Sequence, residues 1–218
     1  MFKNSGKYGN TLTIILIVVI VLILGLLGWF AYDIYQKNSA NDKAQTAVEE
    51  FNKNIKKKVS NKTDTDETLS VGNIVTGNGV SGTTKTYLAG YEVKGTIKIP
   101  KTKVEYPILA EVGKKSLETA VAILYGPGLN EIGNTVILGH NYRNGLFFSN
   151  NDKLVNGDEI LITDQSGTTV TYEIYKMYET EPNDSDYMLR DTNGKREISL
   201  STCTDDASAR LVIWAVEK

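Results

Sequence analysis

Residues 197–216 read Glu197-Ile-Ser-Leu-Ser-Thr-Cys203-Thr-Asp-Asp-Ala-Ser-Ala-Arg210-Leu-Val-Ile-Trp-Ala-Val216. Two runs rich in β-branched and apolar residues flank a polar stretch that cannot extend either run, which is the pattern of two strands joined by a turn. If Glu197–Cys203 and Leu211–Val216 pair as a hairpin, Cys203 and Arg210 stand close together across it. A strand that ends on a thiol, beside a strand that opens on a guanidinium, is a local arrangement with chemical potential. Both residues lie where catalytic groups commonly sit, at strand ends on a rigid scaffold.

The same grammar recurs upstream. Asn134-Thr135-Val136-Ile137-Leu138-Gly139-His140-Asn141 is an apolar strand running into a glycine, with His140 just beyond. Tyr91, Val93, Gly95, Ile97 and Ile99 alternate with polar residues until Pro100 stops them. Further strands are expected over Val104–Leu109, Thr135–Leu138, Glu159–Thr163 and Thr169–Tyr178. Turn signals fall at Asn156-Gly157, Gln165-Ser166-Gly167 and Asn193-Gly194. Short helical turns are expected at Lys115–Ala120 and Gly145–Leu154. Many short strands with few helices predict a small barrel or sandwich.

Toward the N-terminus the character changes twice. Residues 33–86 read as a helix followed by a linker. Ala44, Ala47, Val48, Phe51 and Ile55 fall at helical spacing within Asn41–Val59, and Asn61–Thr86 is too poor in large apolar residues to bury a core. Before that, Tyr8 to Tyr32 contains no charged residue, and Leu12–Leu27 is almost wholly Ile, Leu and Val. Roughly 20 apolar residues at 1.5 Å each cross the hydrocarbon core of a bilayer. The run exceeds the apolar region of a cleaved signal peptide, and no small-x-small site follows it, so an uncleaved signal anchor is expected. Trp29, Tyr32 and Tyr35 are placed for an aromatic belt. The resulting division is a cytoplasmic stub over 1–10, a transmembrane anchor over 11–32, an extracytoplasmic helix and linker over 33–86, and a catalytic domain over 87–218. The lysines flanking the anchor are nearly balanced. The short stub and large following domain favour an inside N-terminus with the domain exported.

Composition narrows the chemistry. The 218-residue chain has a formal net charge of −2, which gives no electrostatic argument for a nucleic-acid partner. It holds one cysteine, Cys203, and one histidine, His140. No intrachain disulfide can form, and zinc sites built from several Cys and His are excluded. A lone thiol with a distant imidazole is the set required for a cysteine nucleophile and its proton partner. The same thiol could instead be a buried structural cysteine, and Arg210 could simply pair with Asp205 or Asp206.

On these motifs the stretch Gly90–Lys218 resembles a sortase domain. The family's Thr-Leu-x-Thr-Cys signature stands here as Ser199-Leu200-Ser201-Thr202-Cys203, its Gly-His segment as Leu138-Gly139-His140, and its catalytic arginine as Arg210. Gly95-x-Ile97-x-Ile99-Pro100, Tyr106-Pro107-Ile108, Gly133-Asn134 and Gly157-Asp158 match in order, and the N-terminal anchor fits as well. The resemblance implies an eight-stranded β-barrel and a cysteine transpeptidase whose catalytic residues are His140, Cys203 and Arg210. It implies a protein substrate carrying a Leu-Pro-x-Thr-Gly (LPXTG-like) sorting signal, and an amine acceptor from a cell-wall precursor or another surface protein. A thiolate attacks, so His140 as imidazolium would stabilise it and then protonate the departing amine. Arg210 offers a fork of donors to the developing oxyanion. Thr202, the Thr204 backbone N–H and Asn141 are further candidates for substrate or oxyanion contact.

No cofactor is required, although Glu179, Glu181, Asp184, Asp186 and Asp191 crowd one loop and calcium favours such oxygen ligands. The Gly-His-Asn and Leu-Ser-Thr-Cys wording is like class B or D, while the span from Thr169 to Glu197 is too short for the long inserted helix of class B. No proline follows an aspartate, which argues against the lidded pilin class. A membrane-tethered cysteine hydrolase and a non-catalytic peptide-binding scaffold are the rival readings.

Overall fold

The computed structural model describes residues 7–63 and 85–218. After a two-residue strand β1 (Tyr87–Leu88), the chain forms β2 (Tyr91–Ile99), β3 (Val104–Leu109), a short helix α2 (Lys114–Thr119), β4 (Val121–Tyr125) and β5 (Gly133–Leu138). It continues with β6 (Glu159–Asp164), β7 (Thr169–Thr180), β8 (Arg196–Cys203) and β9 (Arg210–Glu217). The strand order is β1-β2-β3-β4-β5-β8-β9-β7-β6, and β6 pairs back onto β2. Eight strands therefore close a barrel, with β1 appended to β2. This is the expected eight-stranded fold. Closure removes the open edges that would otherwise invite pairing with another chain.

All seven strands expected in this region lie within two residues of their observed bounds, with β5 starting two residues early and β7 running two residues past its expected end. The strand β4 was not expected. Its five apolar residues do not alternate, and such a run cannot be told from a helix segment by periodicity. The helical turn expected over Gly145–Leu154 shrinks to a 3-10 turn at Asn151–Lys153. Arg143, Gly145 and Phe147 all have positive φ, at 57°, 85° and 52°, and left-handed residues of this kind interrupt an α-helix.

Two pairings are parallel, β3 with β4 and β5 with β8. β5 and β8 are buried over nearly their whole length, so both of their faces are covered. Ile137, Ile198, Leu200, Ile213 and Ala215 face the barrel core together with Phe147 and Phe148, which follow His140 in the chain. On the outer face Val136 and Val212 are buried beneath Tyr187. That second layer supports the candidate site.

The helix expected over Asn41–Val59 is part of a longer helix, α1 (Lys7–Thr63). Residues 40–218 form one compact unit, and the segment up to Ser39 forms another. Within the larger unit Ala44, Ala47, Val48 and Phe51 are buried, and Ile55 packs against the same core. Polar bonds fix the stripe: Gln45 Nε2 donates to the Glu105 carbonyl at 2.9 Å, Tyr106 Oη to Asn41 Oδ1 at 2.7 Å, and Asn54 Nδ2 to Thr86 Oγ1 at 3.0 Å. This part of α1 is thus built into the domain. Replacing Phe51 with alanine should cost about 3–5 kcal/mol, as truncation of a buried phenylalanine does. Denaturant unfolding of the solubilised chain measures it, and a loss within experimental error would show that the helix does not contribute to the fold. The expected linker over Asn61–Thr86 lies mostly outside the described residues. In the smaller unit, residues 12–30 of α1 are exposed, and the helix is long and apolar enough to cross a membrane.

Candidate active site

Strand register assembles the site. In the parallel β5–β8 pair, Leu138 lies opposite Ser201, and the Gly139 N–H donates to the Ser201 carbonyl at 3.2 Å. Carrying that register two residues on sets His140 beside Cys203. In the antiparallel β8–β9 pair, Cys203 and Arg210 are direct partners. Cys203 and Arg210 thus stand across from each other at the ends of β8 and β9, and the loop that carries His140 leaves β5 beside them, where the Asn141 amide donates to the Cys203 carbonyl.

Alternation decides which way they face. Ile198 and Leu200 point into the core, so Thr202 follows them and Cys203 takes the outer face with Ser199 and Ser201. Val212 is on the outer face, which puts Arg210 there as well. A Cβ on Gly139 would lie 2.6 Å from Phe148 Cδ2 and 2.9 Å from Val121 Cγ1, both in the core. Gly139 is therefore needed for close packing, and it turns His140 outward. Cys203 is a free, half-buried thiol, which sets aside the alternative of a sealed structural cysteine.

Burial pushes the His140 pKa below its ordinary value of 6.5, partly opposed by the negative charge of Glu118 on α2. Arg210 Nε donates to the Pro182 carbonyl at 2.7 Å. Its two Nη atoms make no hydrogen bond among the described residues, and neither Asp205 nor Asp206 pairs with it there. Asp205 accepts from Asn141 at 2.8 Å, and Asp206 accepts from the Thr204 hydroxyl at 2.8 Å. The guanidinium is anchored through one donor and keeps its terminal fork for something else.

The three further candidates have other partners or surroundings in the structure. The Thr204 N–H donates to the Ala209 carbonyl at 3.0 Å and closes the β8–β9 turn, so it is not available to an oxyanion. Asn141 spends its amide on the Cys203 carbonyl at 3.1 Å and on Asp205, bracing the histidine loop against the cysteine turn. Thr202 is 2% exposed and points into the barrel, where its hydroxyl has no partner among the described residues, so it does not face a substrate. In each case the residue lies next to the thiol or imidazole in sequence, but the turn or the strand alternation uses its polar group elsewhere.

The acidic side chains of Glu179, Glu181, Asp186 and Asp191 are exposed, while the backbone of the segment between β7 and β8 is pinned over the outer face. Tyr187, in a 3-10 turn at Asp186–Met188, is buried against Val136 and Val212, and its hydroxyl bonds the Ser201 hydroxyl at 3.2 Å. Asn134 Nδ2 donates to the carbonyls of Tyr187 and Met188. Arg190 pairs with Glu197, bonds Asn134 Oδ1 at 2.9 Å and lies 4.5 Å from the Trp214 ring centroid. Asp184 is occupied by Thr180 and by the Asp186 N–H, and no group of three or more His, Cys, Asp or Glu among the described residues could hold a metal ion. The available signal is a polar residue at the second position of each strand: Asn134 in β5 and Glu197 in β8 are buried and receive this loop. Farther along the same face, Val112, Leu124, Tyr125, Ile132, Met188 and Arg190 line a groove of about 900 Å³.

Comparison with known proteins agrees with the fold. The sortase domain family model matches residues 97–218. Sortase A of Bacillus anthracis is 30% identical over 125 residues, which are 56% of this chain and 58% of that protein. This chain thus matches under two thirds of that relative's length. Among solved structures, a lid mutant of sortase A from Corynebacterium diphtheriae superposes with a TM-score of 0.54 at 30% identity, over 60% of this chain and 72% of that one. A sortase D5 transpeptidase from Clostridium perfringens superposes with a TM-score of 0.60 over 82% of this chain and 99% of that one, at 24% identity, a likeness of fold alone. With the family model matched over more than half of its length, this chain belongs to the sortase family.

Proposed function

We propose that this chain is a membrane-anchored cysteine transpeptidase that cleaves an LPXTG-like sorting signal and passes the protein to an amine. The observation that carries the reading is the pairing of Cys203 with Arg210 beside the loop that carries His140, with no other cysteine or histidine in the chain. The Cys203 thiolate attacks the carbonyl carbon after the threonine of the signal. The negative charge that develops on the oxygen meets the free Nη fork of Arg210. As the C–N bond breaks, the His140 imidazolium gives its proton to the departing amine, leaving a thioester on Cys203 and a neutral imidazole. An incoming amine then loses a proton to His140, attacks the thioester and releases the Cys203 sulfur.

The support for this order of events is chemical. Only Cys203 can be a thiol nucleophile, only His140 can exchange protons near neutral pH, and an arginine stays charged throughout. The apolar helix supports anchoring, with the N-terminus inside and residues 87–218 as the catalytic domain outside. The acceptor amine comes from a cell-wall precursor or another surface protein. A peptide carrying the signal, incubated with and without oligoglycine, tests the reaction. Amine-containing product is expected, and hydrolysis alone would mean a peptidase instead.

The pH profile should reflect the buried imidazole. Burial disfavours its charged form, so the imidazolium is half-populated only below pH 6.5. The acid limb of a bell-shaped cleavage profile should therefore have its midpoint below 6.5, as a property of the coupled thiol–imidazole pair. An acid limb well above 6.5 would contradict that.

A further inference from the structure

A proton carrier has to be held in one orientation, and a third residue usually does this through a hydrogen bond to the imidazole. Here the neighbouring amide, Asn141, is spent on Cys203 and Asp205. No side-chain hydrogen bond to the His140 ring is present among the described residues. The imidazole instead stacks on Tyr142, with ring centroids 4.8 Å apart and an interplanar angle of 29°. Tyr142 meets Phe147 edge-on at 5.5 Å, and Phe147 stacks on Tyr106 at 4.8 Å. Tyr106 is tied by its hydroxyl to Asn41 of α1.

The backbone makes this a closed unit. The Phe148 N–H donates to the His140 carbonyl at 3.1 Å, and Asn141 bridges Phe147 across the loop. Phe147 is completely buried, which leaves Tyr142 little freedom to move away from the imidazole. Stacked aromatic pairs of this geometry attract beyond the area they bury, which favours one ring orientation over its alternatives.

We propose that Tyr142 is a positioning residue that orients the His140 imidazole by stacking and, through Phe147 and Tyr106, ties it to the part of α1 built into the domain. The proposal rests on His140 being the proton carrier of the reaction given above. The charged groups on this side of the loop are Glu118 on α2, which acts on His140, and Asp205, held by the amide of the neighbouring Asn141. Neither of them is changed by altering Tyr142. What the ring contributes is orientation and exclusion of water from one face of the imidazole.

The lone histidine makes the test clean, because a histidine-selective label in the full, solubilised chain gives one imidazole signal. In the unchanged protein its carbon-bound protons should be shifted upfield by the tyrosine ring, and the shift should persist in Tyr142→Phe. In Tyr142→Leu the upfield shift should vanish and the titration midpoint should move up toward the ordinary value. Peptide cleavage by Tyr142→Leu should lose about tenfold in kcat with KM within about twofold, since only alignment is lost. Tyr142→Phe should stay within about twofold of the unchanged protein. An unshifted imidazole in the unchanged protein overturns the proposal, and so does a Tyr142→Leu protein with the shift and kcat intact. If Tyr142→Leu does not fold, the ring-current shift of the unchanged protein and of Tyr142→Phe decides alone. Failure of the unchanged protein to cleave or to acylate Cys203 would sink the proposed reaction while leaving the imidazole signal to judge the stack separately.

Discussion

Replacing Cys203 with alanine is expected to abolish peptide cleavage, with a loss on the order of 10⁴-fold or more, while leaving the barrel folded. The size follows from the chemistry: the nucleophile is the group on which the acyl intermediate forms, and no second thiol exists to take its place. Stability should change little. Cys203 is only partly buried at the end of β8, and the adjoining turn is closed by the bond from the Thr204 N–H to the Ala209 carbonyl and by Asn141 on the Cys203 carbonyl. Cleavage rates and thermal unfolding measured side by side would separate the two effects. Residual cleavage within tenfold of the unchanged protein would leave the thiol without a catalytic role.

The second large effect is expected at Arg210. Substitution by lysine keeps the charge and loses the planar fork. In the structure the Nε atom is committed to the Pro182 carbonyl, so the fork is aimed by that bond. A lysine has no equivalent way to anchor with one donor and present two others in fixed geometry. Removing an oxyanion donor costs about 10²–10³-fold in kcat, and Arg210→Lys should fall near the lower end, Arg210→Ala near the upper. Because the interaction strengthens as charge develops on the oxygen, kcat should fall while KM changes little. A variant that raises KM and spares kcat would make Arg210 a substrate-binding residue instead.

The parts of this molecule that can be read from sequence are those governed by local rules. Period-two alternation marks β2, and the pairing of Cys203 with Arg210 follows from a single hairpin. Other parts depend on contacts that sequence periodicity does not carry. The adjacency of His140 and Cys203 arises from a parallel pairing between strands 63 residues apart in the chain, as the match of Leu138 with Ser201 shows. Composition and family resemblance pointed to that pair; periodicity could not. Likewise, nothing in the acidic run after Glu179 announces that Tyr187 will be buried on the outer face or that Arg190 will reach Glu197 and Asn134. The stripe of Ala44, Ala47, Val48 and Phe51 was visible as a helix face, but not the surface it covers. The surroundings of Thr202, Thr204 and Asn141 are hidden from sequence for a related reason. Proximity to the thiol in sequence does not say whether a polar group is free, and each of these is claimed by alternation or by the turn.

The account depends on an acyl intermediate on one sulfur, and intact-mass measurement reads that directly. The full chain, incubated with a sorting-signal peptide and no amine acceptor, should gain the mass of the fragment ending in threonine. Digestion should place that mass on the peptide containing Cys203, and added oligoglycine should remove it. Turnover with no mass gain on Cys203, or an adduct on any other residue, would contradict the account.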